Sequence, residues 1–148
     1  MTPYFESPVV ADGHLAYRRP VVGHLVQVSH NRNEARNMLI EDVPSRALCR
    51  YEIHELVVTD DNNLSAGALV SNISYIGFFE VSVGSMARLG DAFEVGGKLL
   101  GHLVGFDFCH MPNHLNIIVR AVEDFPRPPT GQELDLRVGG SVRVLPQS

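Results

Sequence analysis

Three of the chain's seven histidines fall between Gly101 and Asn116, and two of them, His110 and His114, flank Met111-Pro112-Asn113. Proline presets φ and asparagine tolerates the left-handed region, so Pro-Asn suits the centre of a β-turn. A turn there makes His110 and His114 the first cross-strand pair, with Cβ atoms about 4.5–5.5 Å apart on one face. Two imidazoles that close resist double protonation. One stays neutral as a base and takes a proton from a bound molecule, while its neighbour delivers one elsewhere. Such chemistry belongs to lyases, isomerases and cyclases of small metabolites, and the sequence leans towards an enzyme of this kind needing no cofactor. A second reading makes the pair ligands of a divalent transition metal. Glu80 would then complete a facial set of two histidines and a carboxylate. The spacing crosses a proline turn, not a helix, so the zinc-protease motif is excluded. In a third reading the histidines cap a hairpin in a non-catalytic barrel that binds a metabolite or a partner.

Period-two alternation extends the site. Leu100, His102, Val104, Phe106, Phe108 and His110 share one face of a strand, and His114, Asn116, Ile118 and Arg120 share the matching face of the next. The bulky aromatics point that face inward, placing both histidines at one end of an apolar chamber. There Asn116 orients a substrate and Phe106 and Phe108 supply walls. Glu80, within Phe78-Phe79-Glu80-Val81, and His54, within Tyr51–Leu56, are polar groups in apolar strands and join the candidates for substrate contact. His102 lies about 26 Å from His110 along an unbroken strand and is left out. Cys109 faces away from its neighbouring histidine, so nucleophilic catalysis is not expected.

The elements that must position these groups are mostly strands. Val21 to Ser29 is rich in β-branched residues and bounded by Pro20 and Asn31. Arg50 to Thr59, Leu64 to Val70, Ile73 to Val83 and Leu115 to Val122 read the same way, and Asp60 to Asn63 reads as a polar turn. Gly96-Gly97, between Phe93-Val95 and Leu99 to Phe106, signals a hairpin, because a type I′ turn requires positive φ at both central residues. Leu134 to Leu145 reads as a last hairpin about Gly139-Gly140. Asn31 to Glu41 is the one helix candidate, with asparagines to cap it and Pro44 to stop it. Residues 1–12 read as a loosely ordered arm. Roughly seven to nine short strands and one helix at this spacing predict an all-β fold, a small closed or nearly closed antiparallel barrel, over residues 1–148 as one domain.

Composition sets the outer bounds. The 148 residues are 45% hydrophobic and 20% charged, enough for a core without a disulfide or metal staple. A net charge of -5 and the lack of a basic run exclude nucleic acid as the expected partner. No apolar stretch approaches a membrane span, and the first dozen residues lack a leader pattern, so a soluble cytoplasmic protein is expected. Its two cysteines would remain thiols there. The expected partner is a small molecule, with self-association into a homo-oligomer as an option for a sheet with an apolar outer strip.

Overall fold

The computed structural model describes the backbone pairing of residues 9–11 and 14–16, and residues 18–33, 37–62, 64–122 and 125–147 in full. In chain order the strands are β1 (Val9–Ala11), β2 (His14–Ala16), β3 (Val21–Val28), β4 (Arg32–Asn33), β5 (Met38–Leu39), β6 (Ser45–Leu48) and β7 (Ile53–Thr59). There follow β8 (Leu69–Val70), β9 (Ile73–Val83), β10 (Ser85–Arg88), β11 (Ala92–Val95), β12 (Lys98–Asp107), β13 (Asn116–Ala121) and β14 (Ser141–Leu145). Seven of them close a barrel in the order β3-β14-β11-β12-β13-β7-β9, with β9 pairing back onto β3. The long β-branched and aromatic run of β9 reaches both β7 and β3 and makes that closure.

The interior is filled. Leu25, Leu56, Phe79, Phe93, Leu103, Phe106, Ile117 and Val142 meet there, all 0–1% exposed, so a packed core fills the barrel among the described residues. Six of the seven seams are antiparallel, as expected. The seventh, β7 with β13, is parallel, pairing Glu55 with Asn116 through Thr59 with Arg120. Parallel strands are covered on both faces, and here a second cluster does the covering. Met38, Ile40 and Val70, from the β5–β8 pair and its flank, pack with Val57, Ile73 and Ile118 on the outside of the barrel.

That outer cluster overturns the expected helix over Asn31–Glu41. Arg32–Asn33 and Met38–Leu39 are strands, Asn37 sits at φ 53, and Met38 and Ile40 are buried while Leu39 is exposed. Period two prevails because these side chains cap the parallel seam; residues 34–36 lie outside the described residues. The arm expected over 1–12 falls largely outside them too, though β1 pairs with β2. The hairpin expected over Leu134–Leu145 is half right. β14 is a strand, but β11 and β3 occupy both its edges, and Leu134 and Leu136 pack on the core from a turn-rich loop. The Gly96-Gly97 hairpin forms with φ 61 and 83, the signature of its turn type.

A buried ion pair ties the segments before β3 and after β14 to the barrel. Arg18 forks onto Asp91 at 2.5 and 2.9 Å, at 4% and 1% exposure. Asp91 also accepts the amides of Arg88 and Gln147 at 2.8 and 3.2 Å.

Candidate functional site

The loop between β12 and β13 spans residues 108–115, and the last register pair before it is Asp107 with Asn116. The turn is longer than expected. Asn113 N–H donates to His110 C=O at 2.9 Å, and a cis peptide precedes Pro112, which places proline third in a type VI turn, not second. His110 and His114 are therefore loop residues and not a cross-strand pair. Their rings still stack, with centroids 4.9 Å apart and planes at 28°.

Where they point is the larger correction. A bulge between Leu103 and Gly105 flips the parity of β12, so Leu103 and Phe106 both face inward. In β13 it is Ile117 and Val119 that enter the core, and Asn116 and Ile118 lie on the outer side. The histidine pair consequently sits on the barrel's outer rim. His114 meets the edge of Phe78 at 5.1 Å and 81°, on the outer face of β9.

A cleft of about 580 Å³ opens here, between the loop and the turn before β7, lined by Arg46, Glu52, His54, Phe78, His114 and Leu115 among others. His54 is 5% exposed and fully engaged. Its Nδ1 accepts Leu115 N–H at 3.0 Å, so the ring proton belongs on Nε2, which donates to Glu52 Oε1 at 3.0 Å. Glu52 also accepts Cys49 N–H at 2.8 Å. Burial raises the Glu52 carboxyl, but the Cys49 amide, His54 and Arg46 outweigh it and hold the group below its ordinary 4.5. Arg46 lies 5.1 Å over the ring of half-buried Phe108, which fixes one cation at the cleft.

His114 is the group without a settled partner. Asn113 Nδ2 approaches its Nδ1 at 3.1 Å, while its Nε2 is shut off from solvent with no hydrogen bond. Burial first, then His110 and His54, hold its imidazole below the ordinary 6.5 and so favour the neutral ring.

The other expected site residues take different roles. Phe106 is part of the core and does not line the rim cleft. Asn116 is buried and donates to Asp107 at 2.9 Å and to Cys109 Sγ at 3.4 Å, and Asp107 accepts Leu39 and Cys109 amides as well. This knot holds the base of the loop and leaves Asn116 Oδ1 buried without a hydrogen bond. Glu80 faces His24 at 3.4 Å across the β3–β9 seam. Among the described residues no three His, Cys, Asp or Glu side chains lie together as metal ligands, so Glu80 does not join the histidine pair in a facial set. Sequence reasoning passed over Glu52 and read Arg46 as a solvated side chain. The Glu52-x-His54 spacing, which puts both on one side of an extended segment, is the signal that could have found the first.

Residues 15–145 match a family of unknown function, DUF6917. The chain belongs to this family. No curated protein and no solved structure matches it. In this DUF6917 chain the match runs from β2 to the end of β14, so it takes in the whole barrel and every residue of the rim cleft. Among the described residues of the DUF6917 chain, no helix is long and apolar enough to cross a membrane.

Proposed function

We propose that the protein is a small-molecule enzyme that moves protons, of lyase, isomerase or cyclase type, with its site in the rim cleft and not inside the barrel. The observation that carries this reading is the His114 Nε2 atom: buried, unpaired, on a neutral imidazole, and stacked against a second imidazole. Most buried polar side-chain atoms have a partner, as both nitrogens of His54 do. A substrate atom is the partner that His114 lacks. His114 acts as the base, and the exposed His110 ring rotates off the stack to admit the substrate and hands a proton back. Arg46 anchors an anionic group, since it is the one cation among the cleft-lining residues. His54 and Glu52 hold the cleft's shape. Phe108 contributes by seating Arg46. The exposed thiols of Cys49 and Cys109 suit a reducing cytoplasm.

The test is deuterium exchange. Small 2-oxo acids such as pyruvate and 2-oxobutyrate, incubated with the protein in D2O, should lose the protons beside the carbonyl faster than in buffer. His114→Gln should cut that rate by about 100-fold or more, the usual worth of a positioned base. Arg46→Gln should raise the acid concentration required. If the acids shift the His114 ring resonances while exchange stays at the buffer rate, the site binds without catalysis and the proposal fails.

A further inference from the structure

A second cleft, of about 420 Å³, lies at the opposite end of the barrel. It is lined by the β11–β12 hairpin and the 134–140 loop, whereas the histidine loop follows the far end of β12. The ten residues of β12 separate the two by about 30 Å. The floor of this cleft is Val95 and Leu100, at 4% and 3% exposure, both members of the barrel core. Its walls are Leu99, Phe125, Leu134 and Leu136, the last three packed on the core only in part. Leu99 is 45% exposed at the mouth. The cleft is thus the place where the core's apolar interior reaches the surface, and barrel mouths of this kind are common ligand sites.

Its charges give the ligand a direction. Arg137 reaches Asp135 at 3.5 Å, and the two offset each other at the rim. Lys98, the remaining cation of the lining, has no carboxylate within ion-pair distance among the described residues. An apolar tail on the Val95–Leu100 floor and an anionic head at Lys98 would fit both halves of the site.

We propose that this mouth binds an amphipathic monoanion, a medium-chain carboxylate, independently of the rim cleft. Methyl NMR of the full chain titrated with hexanoate, octanoate, decanoate and neutral 1-octanol tests it. Saturable shifts of the Leu99, Leu100 and Leu136 methyls are expected, with affinity rising about fourfold for each methylene that enters the cleft. Lys98→Glu should weaken octanoate by about tenfold, the lower worth of a charge-assisted hydrogen bond, and leave 1-octanol unchanged. Leu99→Gln should weaken all four ligands. Both positions are exposed, so the variants keep the fold. The proposal is overturned if no ligand gives saturable shifts, if affinity ignores chain length, if Lys98→Glu binds octanoate as well as the parent, or if the shifts appear only around His114.

Discussion

Replacing Asp91 by asparagine would leave the Arg18 guanidinium buried with its counter-charge gone. The pair is 4% and 1% exposed, and Asp91 receives two guanidinium N–H groups and two backbone amides. The amide that replaces it keeps the volume but offers one acceptor oxygen in place of two. Beyond that one oxygen Arg18 retains the Met86 and Gln147 carbonyls, at 3.3 and 3.4 Å, and its Nε is already unpaired. Removing one partner of such a pair costs about 3–5 kcal/mol, because the other charge stays desolvated. For a chain of this size that lowers the melting temperature by roughly 6–20 °C. Urea unfolding followed by far-ultraviolet circular dichroism measures it, since the chain has no tryptophan. The double change Arg18→Met with Asp91→Leu removes both charges and should cost clearly less than the two single changes together. A loss below about 1 kcal/mol for Asp91→Asn, or strict additivity in the double variant, would refute the account.

Two further outcomes follow from particular contacts. The folded His114 imidazole titrates below 6.5 and the unfolded one at that ordinary value, so the unfolded chain binds more protons between the two. Stability should therefore fall as pH drops through 6.5 and level off below the folded value, and His114→Gln should flatten that part of a urea-midpoint profile. A profile identical to the parent's would count against a neutral His114. Gly101→Ala would set a Cβ 2.0 Å from Arg120 O and 2.8 Å from Val119 Cγ1, inside the β12–β13 seam. Backbone cannot yield cheaply there, so a loss of at least about 1–3 kcal/mol is expected in thermal unfolding; an unchanged midpoint would mean that the seam is looser than the register implies.

Much of the barrel can be read from local chemistry. β-branched and aromatic runs mark β3, β7, β9 and β13, and Gly96-Gly97 marks its hairpin, because each signal acts within a few residues. What failed to read depends on distant partners. Met38 to Glu41 resembles a helix until the outside of the β7–β13 seam claims Met38 and Ile40. The parallel seam did leave a trace, in the unbroken apolar runs Leu56-Val57-Val58 and Ile117-Ile118-Val119, which suit strands buried on both faces. The site shows the same division. The turn between His110 and His114 and the closeness of the two rings were legible from proline, asparagine and spacing. The side of the barrel they occupy was not, because one extra residue at the bulge near Val104 reverses the parity on which that inference rested. Glu52 became part of the site only when the turn before β7 met the loop after β12.

The order of the strands has a consequence for how the chain is made. β3, near the start, lies beside β14, near residue 145, and β14 fills the gap between β3 and β11. Until β14 has been synthesised, β3 and β11 each present a bare edge to whatever is nearby. A nascent chain stalled before residue 141 would therefore be an open, adhesive sheet. Arrival of the five-residue β14 seals both edges at once, and Gln147 then joins Arg18 on Asp91 like a latch behind a closing door.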